Sequence, residues 1–206
     1  MKRWRIIENI LRITLIIALG LSIIKQDWFT LLVSSLALLL TFLPFFIEKQ
    51  YKIKIPLDFE VATILFVYAG LFLGEITKFY EIFWWWDILL HAISAIAFGL
   101  IGFITLFLLK KSKKINISPI WVAIFAFCFV VSIGTIWEIF EFGVDQIFNT
   151  NMQKTGLIDT MWDLIADTSG ALISVLAGYS FMKGNQKSYL SKLTKLFLKE
   201  NPQLKL

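Results

Sequence analysis

Three short stretches of this chain gather groups that bind protons or metal ions. "DILLH" sets Asp87 four residues before His91, "WEIFEFGVD" holds Glu138, Glu141 and Asp145, and "IDTMWDLIAD" holds Asp159, Asp163 and Asp167. At about 3.6 residues per turn, each set keeps roughly to one face of a helix. The whole chain has 15 Asp and Glu and one His, so the grouping is not a by-product of an acidic composition. Carboxylates with a single imidazole suit a divalent ion such as Zn, Mn, Mg or Fe, and the oxygen-rich mix leans away from a structural thiolate zinc site. Glu138 and Glu141 on one helix, with Asp159 and Asp163 on another, would let two helices grip one or two ions, as helical bundles do. A metal so held activates a water or polarises a phosphoryl or acyl oxygen.

On this reading His91, Glu138, Glu141, Asp163 and Asp167 are the candidate metal ligands, and Asp87 or Asp159 orients a ligand or serves as general base. Simpler explanations compete. Asp159 and Asp163 could cap and charge the first turn of a helix, but Asp167 lies two turns inward, where an unpaired carboxylate is costly. Glu138 and Glu141 fall in the last turns of their helix, where the dipole disfavours negative charge. Salt bridging has only Lys78 and Lys154 to draw on nearby, and His91 could be an ordinary packed histidine. Whether Asp145 and Asp167 belong with the rest stays open.

The elements that must position these groups are written in the composition. Of 206 residues 58% are hydrophobic and 17% charged, and the mean hydropathy is +0.75. A soluble domain is nearer half apolar and a quarter charged. Six runs, at about 6–24, 28–47, 57–76, 84–109, 118–142 and 160–182, approach the roughly 20 residues that cross a bilayer core, and a backbone in lipid must be helical there. The expected fold is therefore all-α, a polytopic membrane bundle of about six transmembrane helices over residues 1–182, with a basic cytoplasmic tail over 183–206. The N-terminal "MKRWR" reads as the flank of an anchor and not of a signal peptide, because Glu8 and Arg12 interrupt the run and five more follow.

With six spans, one side receives Lys2, Arg3, Arg5, Arg12, the lysines at 49, 52 and 54, those at 110, 111, 113 and 114, and those of the tail. Lys25, Lys78 and Lys154 are left for the other. The positive-inside rule puts both termini in the cytoplasm of a cell-membrane protein and the three polar clusters near one extracytoplasmic level. The net charge of +5 then needs no nucleic-acid partner. Cys128 is the only cysteine, so no disulfide forms within the chain.

Smaller signals agree. Trp84–Trp86 and Trp28 read as interfacial anchors. Gly70 with Gly74, and Gly170, Ser174 and Gly178, allow close helix approach. In the tail Leu190, Leu193, Phe197 and Leu198 oppose Lys192, Lys195 and Lys199, which suits either an amphipathic helix on an anionic leaflet or a loose tail.

"DILLH", "WEIFEF" and "IDTMWDLIADTSGALIS" together resemble the YjdF-like family of uncharacterised polytopic membrane proteins over roughly residues 84–176, and more loosely the VanZ-like proteins. Asp87, His91, Glu138, Glu141, Asp159, Asp163 and Gly170 fall on the motif positions. Leu157 departs, standing where similar proteins often have Asp. The resemblance implies a site but no settled reaction. The residues favour a metal-dependent membrane hydrolase or transferase acting on a lipid or lipid-linked substrate. A proton- or cation-coupled transporter, and a structural or partner-docking protein, are the alternatives; the oligomeric state is not fixed by the sequence.

Overall fold

The computed structural model describes residues 2–185 and 189–204, and the side chains of 4–185 and 192–204. The side chains of Lys2, Arg3, Lys187, Leu190 and Lys205 lie outside those described. Helices α1 (Lys2–Lys25), α2 (Trp28–Leu40), α3 (Leu43–Tyr51), α4 (Leu57–Val67), α5 (Phe79–Ile82), α6 (Trp86–Lys111), α7 (Pro119–Phe148), α8 (Leu157–Met182) and α9 (Tyr189–Glu200) follow one another, with no strand among the described residues. Among the described residues six stretches are long and apolar enough to cross a membrane: Trp4–Lys25, Trp28–Tyr51, Leu57–Ile76, Trp86–Lys111, Pro119–Phe148 and Leu157–Met182. Many large apolar side chains point outward on them, among them Ile13, Leu32, Ile101, Ile139 and Leu176. Such an apolar exterior suits lipid and not water.

Two compact units make up the chain. The first contains the residues up to Trp86 together with Leu196–Pro202; the second contains Asp87–Lys195 and the residues after Pro202.

In the first unit the apolar run from Trp28 is not one helix. Pro44 at the start of α3 lacks an N–H, and the chain turns at Thr41 and Phe42 between α2 and α3. Arg12 of α1 covers the break. Its guanidinium donates to Thr41 Oγ1 (3.2 Å) and to the Thr41 carbonyl (3.0 Å), and lies 4.6 Å from the centre of the Phe42 ring. In lipid a freed carbonyl needs such a donor. At the other end of α2, Asp27 caps the helix, and its bonds from the Thr30 hydroxyl and N–H hold that carboxyl below its ordinary range. After Val67 the third stretch widens into a π-helix, Tyr68–Ile76. Gly74 there faces the ring of Tyr80, where a Cβ would clash, so the Gly70 and Gly74 pair accommodates a neighbouring aromatic and not another span. Trp84 and Trp85 are exposed, whereas Trp86 donates to the Ala69 carbonyl at 3.3 Å. The start of the fourth span accordingly shifts from 84 to Trp86.

The end of α9 is docked. Asn201, fully buried, accepts from the Lys54 N–H and donates to the Lys54 carbonyl, both at 2.7 Å, as a partner strand would.

The second unit holds the polar clusters. α7 and α8 form a hairpin over a short loop, and α6 lies against α8 through its small residues. A Cβ on Gly170 would meet the Ala92 carbonyl, and one on Gly178 would meet the Phe103 ring. Ala95, Val130 and Ala171 fill the level beside the clusters, and Phe103, Val122, Ala126, Val175 and Phe181 fill the next. α7 runs to Phe148, six residues beyond the expected end at Phe142, and so carries Asp145 within the helix.

Candidate functional site

Each of the three helices contributes its polar stripe at one level of the second unit. The first turns of α6 give Asp87 and His91, the last turns of α7 give Glu138 and Glu141, and the first turns of α8 give Asp159, Asp163 and Asp167. His91, Glu138, Glu141, Asp163 and Asp167 are all buried.

His91 is the hub. Its Nδ1 lies 3.2 Å from Asp167 Oδ2, and a proton on Nδ1 would be shared with that carboxylate. Nε2 faces Asp87 Oδ1 and Glu138 Oε1, each at 3.9 Å. These separations are too long for hydrogen bonds, yet atoms that share one ion at about 2.0–2.2 Å from each stand roughly 3–4 Å apart. Asp87, His91 and Asp163 each offer a ligand atom, and the three atoms lie within 4.8 Å of one another.

Charge balance sharpens the picture. Lys154 donates to Asp87 Oδ2 at 2.6 Å, and His91 faces Asp167. Asp163 Oδ1 is buried without a hydrogen-bond partner, and the two buried Glu138 oxygens have at most the neutral Thr160 hydroxyl beside them. Glu141 Oε1 receives only a neutral donor, Trp137 Nε1, at 3.0 Å. One ammonium, Lys154, and one imidazole, His91, thus stand among the carboxylates of Asp87, Glu138, Glu141, Asp163 and Asp167. An unpaired buried carboxylate costs several kcal/mol, roughly, and is found neutralised or sharing a cation.

Not every acid joins the cluster. Asp159 is half-buried one turn outward and feels the charges of Lys154, Asp87 and His91. Asp145 turns away: it accepts from the Thr150 hydroxyl (2.6 Å), the Met152 N–H (2.7 Å) and the Gln153 N–H (2.9 Å), and so braces the loop between α7 and α8. Lys78, the other basic residue near these levels by sequence, pairs with Glu81 at 3.3 Å.

Two participants escaped the sequence reading. Gly134 stands where a Cβ would meet the Asp167 carboxylate, so α7 must be bare at that point for Asp167 to reach His91. Its place one turn before Glu138 was the available signal. Trp137 was hidden in the apolar stretch, although its spacing to Glu141 is that of a helical contact.

A family model described as "Predicted membrane protein (DUF2238)" matches residues 7–184, which takes in most of the first apolar stretch, the other five whole and every member of the cluster. The chain belongs to that family. A DUF2238 protein is a membrane protein, in keeping with the outward apolar faces. The chain is also 33% identical over 129 residues to an uncharacterised protein of Thermotoga maritima, a match covering 63% of this chain and 66%, just under two thirds, of that protein. No solved structure matches the chain.

Proposed function

We propose that this DUF2238 protein binds a divalent metal ion between α6, α7 and α8 and acts with it on a lipid or lipid-linked substrate at the membrane surface. The observation that supports the reading is the buried, unpartnered Asp163 Oδ1 and the buried Glu138 carboxylate, with no charged donor at hydrogen-bonding distance, beside Nε2 of His91. His91, Asp163 and Asp87 would hold the ion, with Glu138 beside them. Asp167 would orient His91, as the second carboxylate does for many metal-bound histidines. The ion would supply Lewis acidity or a water of lowered pKa. Asp159, outward of the cluster, would act as general base, and Glu141, already bonded to Trp137, would stay at the rim.

The apolar layers formed by Ala95, Val130 and Ala171 and then by Phe103, Val122 and Phe181 close the second unit behind the site. That supports a site opening to one side over a path for ions through these three helices. The basic residues flanking the spans support a cytoplasmic location for both termini and an extracytoplasmic one for the site, and the tail from 183 as a basic appendage to the membrane domain. The likeness to YjdF-like proteins belongs to the same proposal and rests on the three strings quoted above.

Elemental analysis of the detergent-purified protein beside a Glu138→Gln, Asp163→Asn double variant tests it. The expected result is close to one divalent ion or more per chain, lost in the variant while the folded yield is kept. An ion-free wild-type protein after loading with Zn, Mn, Mg and Fe in turn would discard the metal and leave shared protons as the reason for the acids.

A further inference from the structure

The loop that carries Lys154 is built to keep it at the mouth of the cluster. Asp145 ties three groups of that loop together, and the Gln153 side chain donates to the Thr160 hydroxyl at 2.8 Å. Asn149 at φ 53° and Gly156 at φ 66° turn its two ends. A long, flexible side chain thereby has a fixed root.

Its ammonium then meets Asp87 at 2.6 Å, and the two divide the accessible edge of the site: the Lys154 side chain is 27% exposed and that of Asp87 16%, while Glu138 and Asp163 behind them are buried. The two oxygens of Asp87 face in different directions. Oδ2 takes the ammonium, and Oδ1 faces His91 Nε2. The ammonium and the ligand atoms of His91 and Asp163 thus flank a single carboxylate.

We infer that Lys154 is the residue that recognises the substrate at this site, and that the group it recognises is a phosphoryl group, in a phosphate ester or in free phosphate. The inference rests on the ion-binding reading above. A phosphoryl group has oxygens for an ion and for an ammonium at once and carries its charge before any reaction begins; a carboxylic ester is neutral until attacked and gives a standing ammonium nothing to hold. Lysine acts on phosphate as a point charge.

The test uses the full-length protein in detergent, with binding of inorganic phosphate and of short-chain phosphatidic acid measured by calorimetry and metal content measured on the same samples. Compared at matched metal content, Lys154→Met should weaken binding of one or both probes by about 10-fold or more, the scale of a charge-assisted hydrogen bond, and Lys154→Arg should keep affinity within a few-fold. Response to inorganic phosphate and phosphatidic acid alike indicates a free or headgroup phosphate equally; response to phosphatidic acid alone indicates a lipid. The inference is overturned if metal-loaded wild type binds neither probe, or if Lys154→Met binds them as wild type does. Phosphate binding that depends on Lys154 in a protein holding no metal would uphold this assignment while removing the ion-binding one.

Discussion

At the scale of single residues, the second unit depends on how few cations it has for its acids. Asp167 is the informative case, because its contact is with His91 and not with the centre of the cluster. If it orients the imidazole, Asp167→Asn should leave the fold intact and weaken metal binding by about 10- to 100-fold, the usual effect of removing such a partner; metal titration of the stripped protein measures it. Asp145→Ala should loosen the loop in amide exchange and leave metal content alone. The convergence of acids was legible in the sequence, since carboxylates at helical spacing in apolar spans have few reasons to be there and three successive spans bring the same ends together. The division of labour among them was not. Asp145 keeps the helical spacing of Glu138 and Glu141, but its helix ends three residues later and the returning loop supplies N–H groups that claim it. Loop geometry has no periodicity to read.

Among elements, small residues decide which helices can lie close. Gly170→Ala should destabilise the protein by about 1–3 kcal/mol, since the new methyl would meet the backbone carbonyl of Ala92, which cannot swing away. Gly143 has nothing near its missing Cβ, so Gly143→Ala should stabilise by about 0.5–1 kcal/mol through helix propensity alone. Thermal unfolding of the two variants in one detergent makes the comparison, and equal behaviour would refute the packing argument. The six spans themselves were plain from hydropathy, to within six residues at their ends. The interruption at Thr41 and the π-helical stretch after Val67 were not, because apolar residues continue through both. Pro44 and Arg12 were the visible hints, and they became meaningful only once Arg12 was seen donating to the Thr41 carbonyl.

For the molecule as a whole, the orientation in the membrane decides which side of it the cluster faces. In a Cys128→Ser background, Asn151→Cys should react with an impermeant maleimide in intact cells, and Lys113→Cys only after permeabilisation; the reverse pattern would put the site in the cytoplasm. The first unit has its own long-range requirement. Its loop at Lys54 is completed by Asn201, a residue 147 positions further along, and closing so long a loop carries an entropy cost that grows only slowly with length. During synthesis the helices up to Trp86 leave the ribosome well before that asparagine exists. The backbone at Lys54 therefore waits, unlatched, through the insertion of every later span, and this half of the protein reaches its final form only when nearly the last of the described residues has been made.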